Sequence, residues 1–331
     1  MSVRLTLALD DGGLVLPTDG MIAVLHPHGD TDLSGLPRER VQIVQPFKPD
    51  FDAFSDQGFT CSAGFEAHPE PFAATVVILP RAKALTRDLI ARAAQQTSGV
   101  IVLDGAKTDG IDSLLREVRK RVPVQGAIAK AHGKIFWFDA GAGDFSDWRA
   151  VAGPDIDGFR TAPGVFSADG IDPASALLAS ALPDKIGARV ADFGAGWGYL
   201  SAHILKDARV RSLDLVEADH DALDCARQNI TDPRARFHWA DALRWKSPEP
   251  LDAVVMNPPF HIGRAADPAL GRGFIEAAAR ALTPRGQLWL VANRHLPYET
   301  TLGERFATVT EVAGDNRFKV LHATRPSRPR T

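Results

Sequence analysis

Val190-Ala-Asp-Phe-Gly-Ala-Gly-Trp-Gly-Tyr-Leu-Ser201 is the stretch that decides the fold. Val190 and Ala191 continue an apolar run with the character of a buried parallel strand. Asp192 closes it, and three alternating glycines lead into a helix predicted to begin near Tyr199. Glycine at Gly194, Gly196 and Gly198 permits positive φ and lets a ligand lie against bare main chain, where a Cβ would stand in the way. A strand, a glycine turn and a helix in succession predict the start of a doubly wound α/β sheet with a ligand at the turn. A tight turn without a ligand has the same spelling, so the strands that follow must separate the two.

Arg209 to Val216 reads as the second strand and ends in Glu217, 25 positions after Asp192. A carboxylate at that strand tip can accept from both hydroxyls of an adenosine ribose, which makes Glu217 the expected ribose anchor. A third strand, Ala235 to Trp239, leads to Asp241 and Ala242, a position that faces an adenine and where an acid accepts from its exocyclic amine. The glycine spacing separates two kinds of nucleotide. A dinucleotide site sets a pyrophosphate over Gly-X-Gly-X-X-Gly, whereas Asp192 here stands two residues before the first glycine of Gly-X-Gly-X-Gly. An anion beside the turn repels a pyrophosphate and can accept, directly or through water, from the amino group of a methionine-like tail. S-adenosylmethionine fits better than a nicotinamide dinucleotide.

Leu251 to Met256 reads as the fourth strand, so Asn257, Pro258, Pro259 and Phe260 fall at its carboxyl end, in the crevice where open α/β sheets bind ligands. Two prolines fix φ and remove two backbone donors, leaving an acceptor-only corner. A nucleobase amine is a poor nucleophile because its lone pair is delocalised into the ring. The Asn257 side-chain oxygen and the Pro258 carbonyl can each accept one amine hydrogen, aiming the nitrogen at a sulfonium methyl and stabilising the charge it gains. Phe260 would stack on the base, and His261 and Arg264 would touch the base or its phosphates. Neither a metal nor a strong general base is required.

Asp-X-Gly-X-Gly-X-Gly with Asn-Pro-Pro-Phe resembles class I S-adenosylmethionine-dependent methyltransferases acting on amino groups of nucleic acid bases or glutamine. Gly164-Val-Phe-Ser167 with Asp169-Gly170, Asn257 to His261, Asn293-Arg-His-Leu-Pro-Tyr298 and Arg317-Phe-Lys-Val320 are similar to a narrower group. That group is the ribosomal RNA small subunit methyltransferase C family and its large-subunit relative, which are guanine-N2 methyltransferases. The likeness is strong from Gly164 onward and only an outline before it. It implies that Asn257 to Phe260 hold the guanine amine, with Asn257 also beside the cofactor. By the same likeness Asp192 to Gly198, Ala195 included, hold the cofactor, and Phe166 and Ser167 close over its methionine end. Asn293, Phe318 and Lys319 would lie near the catalytic face. The partner implied is ribosomal RNA or the small ribosomal subunit.

The 331 residues suffice for two domains, and 45% hydrophobic content argues for well-formed cores. The order of elements repeats. Thr75 to Pro80, a helix over Leu85 to Gln96, a strand over Gly99 to Asp104 and Thr108 to Ile111 echo Ala253 to Pro258, a helix near Gly273 to Leu282, the strand after it and His295 to Tyr298. The first copy has no spaced-glycine run and no Asn-Pro-Pro-Phe. Two Rossmann-like methyltransferase domains with doubly wound, mostly parallel sheets are therefore expected, residues 1–150 degenerate and 151–331 catalytic. The join falls between Asp139 and Asp157. The first domain would serve stability or RNA positioning.

Cys61 and Cys225 form no disulfide framework and lack metal-ligand spacing, so a reducing cytoplasm is expected. No apolar run approaches the ~20 residues of a membrane span, and no signal core opens the chain. Charge is awkward for a nucleic-acid enzyme: 38 basic residues stand against 41 acidic. Local patches at Arg116 to Arg121, and at Arg325, Arg328 and Arg330, are the candidates for phosphate contact, which predicts salt-sensitive binding. A guanine amine tied up in a pair must be unpaired or extruded before transfer. Other acceptor amines stay open at this point, namely large-subunit RNA guanine, DNA adenine and protein glutamine, as does a non-catalytic RNA-binding assembly factor.

Overall fold

The computed structural model describes residues 3–66, 69–150, 155–259, 261–262, 265–266 and 268–327. The chain divides into two compact units, Met1–Gly153 and Pro154–Thr331. The first contains strands β1 (Ile22–Leu25), β2 (Val41–Val44), β3 (Thr60–Ser62), β4 (Phe72–Ile78), β5 (Thr97–Ala106), β6 (Gly126–Lys130) and β7 (Gly133–Asp139), with helices α1 (Val3–Asp10), α2 (Lys48–Asp56), α3 (Lys83–Gln96) and α4 (Ile111–Val118). Its sheet runs β3-β2-β1-β4-β5-β7-β6. The strands from β3 to β5 are parallel, and β7 and β6 add antiparallel pairs at one edge.

The second unit opens with the hairpin β8 (Asp155–Ile156) and β9 (Phe159–Arg160), then α5 (Pro173–Ala181), β10 (Arg189–Phe193), α6 (Tyr199–Ile204), β11 (Ser212–Glu217), α7 (His220–Asn229), β12 (Ala235–Trp239) and β13 (Leu251–Met256). A short hairpin, β14 (His261–Ile262) and β15 (Ala265–Ala266), precedes α8 (Pro268–Ala281), β16 (Leu282–Asn293), α9 (Tyr298–Arg305), β17 (Phe306–Gly314) and β18 (Phe318–Pro326). The sheet order β12-β11-β10-β13-β16-β18-β17 repeats that of the first unit strand for strand. The repetition reaches single bonds. Gly194 N–H donates to the Val216 carbonyl at 2.9 Å, and at the matching place His26 N–H donates to Val44 at 2.8 Å. Both residues have positive φ, 74° at Gly194 and 56° at His26.

The central strands are apolar on both faces because helices cover both, as a parallel sheet requires. Alternation along β10 and β13 assigns each side chain. Ala191, Phe193, Val254 and Met256 pack with Phe274 and Ile275 of α8 and Tyr298 and Leu302 of α9. Val190, Ala253 and Val255 pack with Leu178 of α5, Leu200 of α6 and Leu223 of α7. By the same period of two, Asp192 and Asn257 belong to the α5, α6 and α7 side. The second core strand begins at Ser212, three residues later than expected, and Leu282 opens β16 where the sequence placed it at the end of a helix.

Candidate functional site

The carboxyl ends of β10 and β13 lie side by side, with Phe193 in register with Met256, so Gly194 and Asn257 leave the sheet as neighbours. Parallel strands sit ~4.8 Å apart, which brings the glycine turn and the Asn-Pro-Pro corner to one edge. A cleft there is lined by Phe166, Ser167, Asp172, Ser175, Gly194, Ala195, Gly196, Trp197, Tyr199, Leu200 and Asn257. Gly196 has φ 55°, and a Cβ added to it would project into open space. Gly198, at φ 96°, caps α6, and its Cβ would come 2.8 Å from Ile230 Cδ1. One glycine therefore keeps the cleft open, and the other lets the loop pack against α7.

Glu217 ends β11 and holds the turn from beside it. Its Oε2 accepts from Gly196 N–H at 2.7 Å and its Oε1 from Asp219 N–H at 2.8 Å. Each carboxylate oxygen retains a further acceptor position, the capacity a pair of ribose hydroxyls needs. Burial raises the Glu217 pKa against the pull of these backbone donors. Asp219 caps α7 through bonds from Asp221 and Ala222 N–H, and burial, aided by the charges of Asp221 and Glu217, pushes its pKa up to about 7.

Asp192 stands on β10 two residues before Gly194. It is wholly buried, and its Oδ2 accepts from the Ser201 hydroxyl of α6 at 2.7 Å while Oδ1 has no partner. Burial, with the nearby Glu217 charge, pushes its pKa up to about 7. Through Ser201 it ties the end of β10 to α6, on the sheet face that Asn257 shares. Asp241 is half-buried beyond β12, where its Oδ1 accepts from Leu243 N–H at 2.9 Å. Ala242 is buried in the core cluster under α8. The two sit beside the tip of β11, since Ala240 N–H donates to the Glu217 carbonyl.

Asn257 is the most constrained group of the cleft. Its Nδ2 donates to Asp172 Oδ2 at 2.9 Å and to Ser175 Oγ at 2.9 Å. Its Oδ1 is buried without a partner. Pro258 is buried and Pro259 exposed. Phe166 is 63% exposed at the cleft, its carbonyl held by Trp197 Nε1–H at 3.0 Å. Ser167, at φ 56°, donates from Oγ to the Gly170 carbonyl at 2.7 Å. Asp172, Ser175, Tyr199 and Leu200 received no role from the sequence, and Trp197 only as part of the run from Asp192 to Gly198. Asp172 had a visible signal, since Asp followed by Pro before an apolar run marks a helix start. Asp172 is indeed the N-cap of α5, accepting from Ser175 N–H at 2.7 Å.

Phe260 and Arg264 lie outside the described residues, as do Arg328 and Arg330. The His261 backbone pairs with Ala266 in the β14–β15 hairpin. Asn293 and Phe318 pair in register between β16 and β18, and buried Lys319 forms an ion pair with Glu299 of α9 at 2.5 Å. In the first unit, Arg121 is engaged by both oxygens of Asp147 at 2.6 and 2.7 Å and lies over Trp148, so it is structurally committed. Arg116, Arg119 and Lys120 are exposed. Cys61 and Cys225 are free thiols. Among the described residues no cluster of three or more His, Cys, Asp or Glu side chains could hold a metal, and no helix is long and apolar enough to cross a membrane.

Comparison with known proteins fits this geometry. Residues 157–322 match the methyltransferase small domain model. Ribosomal RNA small subunit methyltransferase C of Hahella chejuensis is 32% identical over 236 residues, covering 68% of this chain and 69% of that protein. Ribosomal RNA large subunit methyltransferase G of Alcanivorax borkumensis is 32% identical over only 170 residues, 50% of this chain and 43% of its own. The structure of the T. thermophilus 16S rRNA N2 methyltransferase in complex with AdoMet and guanosine superposes with a TM-score of 0.78 at 25% identity, covering 97% of this chain and 91% of that one. With 97% of the chain covered, the match takes in both seven-stranded units. The chain belongs to the ribosomal RNA small subunit methyltransferase C family.

Proposed function

We propose that this chain transfers a methyl group from S-adenosylmethionine to the exocyclic N2 amine of a guanine in small-subunit (16S) ribosomal RNA. The observation that carries the reading is the Asn257 Oδ1, a buried acceptor without a partner at the strand end beside the glycine turn. An unpaired buried acceptor costs about 1–3 kcal/mol, which a hydrogen-bonding ligand returns. The donor set fits the cofactor: Gly196 leaves room against bare backbone and Glu217 offers ribose acceptors. Bound there, S-adenosylmethionine supplies an electrophilic methyl on a sulfonium.

The chain's own residues do the rest. Asn257 Oδ1 and the Pro258 carbonyl take the two amine hydrogens, so the nitrogen lone pair is fixed toward the methyl and the developing positive charge meets two acceptors. Phe260 supplies a stacking face for the base, and His261 and Arg264 contact it or its phosphates. The proton leaves after transfer to water, so the reaction needs no metal and no buried base. The acceptor is ribosomal RNA or the small ribosomal subunit, met in the cytoplasm. The first unit has no glycine run and serves stability or RNA positioning.

Asn257→Ala tests the mechanism. It should lower methyl transfer to 16S RNA or small subunits by about 10²–10³-fold, the usual effect of removing one oriented polar group at a reacting centre. Cofactor affinity measured by calorimetry should stay within about twofold of wild type. Wild-type transfer by the variant, with both ligands bound, would refute the assigned role.

A further inference from the structure

We infer that Asp172, assisted by Ser175, is a positioning residue that fixes which end of the Asn257 amide meets the acceptor amine. The inference rests on the role given to Asn257 above. A primary amide has two orientations of nearly equal shape, one presenting an acceptor and the other two donors. Only the first can take a hydrogen from an amine. Asp172 is the N-cap of α5 and Asn257 follows β13, so the sequence separates them by 85 positions while the fold sets Nδ2 at 2.9 Å from Asp172 Oδ2.

A carboxylate oxygen accepts and cannot donate, so the Asn257 atom facing it must be the nitrogen. Ser175 Oγ, also at 2.9 Å, takes the second Nδ2 hydrogen. Both donors of the amide are thereby used, and Oδ1 is left as the buried, unpartnered atom. Rotating the amide by 180° would set Oδ1 against the carboxylate and offer hydrogens to an amine that has no spare lone pair for them. The same Asp172 oxygen also accepts from Ser175 N–H at 2.7 Å, so the clamp is anchored to the start of a helix. Asp172 borders the cleft as well, and the competing role is a direct contact to the cofactor's ammonium group.

The test uses the full-length protein with Asp172→Ala, Asp172→Asn, Ser175→Ala, Asn257→Ala and the Asp172→Ala/Asn257→Ala pair. Methyl transfer to small subunits gives kcat and KM, and calorimetry gives the Kd of S-adenosylmethionine. Asp172→Ala should lower kcat by about 10–100-fold with cofactor Kd within twofold. Asp172→Asn, whose Oδ1 can occupy the same place and accept both bonds, should recover to within about threefold of wild type. In the Asn257→Ala background, Asp172→Ala should lower kcat no further.

Equal losses from Asp172→Ala in both backgrounds, or a loss carried by cofactor Kd, would overturn the inference. If Asp172→Ala fails to fold, Ser175→Ala keeps the cap and should still reduce kcat about 2–10-fold. The Asn257 side-chain NH2 resonance, assigned through its disappearance in Asn257→Ala, gives a readout without turnover. It should exchange slowly with solvent in wild type and rapidly in Asp172→Ala, and unchanged exchange would also overturn the inference. A wild-type protein that transfers no methyl to RNA sinks the proposed function instead, while the resonance still decides the clamp.

Discussion

Replacing Asp192 by Asn should make the protein more resistant to heat in proportion to pH. The wild-type carboxyl is wholly buried, has one hydrogen-bond donor in Ser201, and titrates at about 7 instead of 3.8. The folded state therefore holds a proton between those values that the unfolded chain has released, so stability falls as pH rises through that window and levels off above it. A displacement of about three units at ~1.36 kcal/mol each sets a ceiling of about 4 kcal/mol. Asn keeps the bond from Ser201 and carries no charge at any pH. The variant minus wild-type Tm should sit at a constant offset near pH 4 and climb by up to about 8–16 °C by pH 8, at ~2–4 °C per kcal/mol for a domain of this size. Scanning calorimetry of both proteins without cofactor at half-unit pH steps measures it. A difference that is flat in pH, or that shrinks as pH rises, would show that Asp192 is already ionised in the folded protein and would refute the reasoning.

Two glycines of one turn should fail differently. Gly198→Ala forces a side chain into positive φ and against Ile230, and should cost about 1–2 kcal/mol of stability, read in urea melts. Gly196→Ala meets no protein atom, so thermal stability should change by no more than about 1–2 kcal/mol while cofactor Kd rises at least about tenfold. An unchanged Kd in Gly196→Ala would contradict the assignment of the cleft. Glu217→Gln replaces one of the two oxygens that accept from Gly196 and Asp219 N–H, and should weaken cofactor binding by about 10–100-fold in calorimetry. An unaltered Kd would remove Glu217 from the site.

Much of the catalytic unit was legible because its signals are local. The apolar runs before Asp192 and Asn257 have the length and β-branched content of buried strands, and the glycines and prolines that end them act on their own backbone. What escaped depended on distance or packing. Asp172 reads as a helix cap, and nothing in its neighbourhood announces that the same oxygen reaches Asn257. Asp192 was weighed for its charge alone, and neither its complete burial nor its bond from Ser201 shows in the motif. The start of α8 was placed late because Gly271 and Gly273 look like punctuation. Both lie inside the helix, where a Cβ on Gly271 would overlap the Tyr298 hydroxyl and one on Gly273 would crowd Leu243. They are absences that neighbours fill.

The bond from His26 to Val44 separates what the framework dictates from what the motif dictates. It reproduces the bond from Gly194 to Val216 although the residue is not glycine and no spaced-glycine run surrounds it. The left-handed kink after the first strand of the sheet is thus a property of the framework itself, held by ladder geometry with or without a glycine run behind it. Skeleton and glycine run are therefore separable, and a unit with the first alone is free to carry tasks that the second does not dictate.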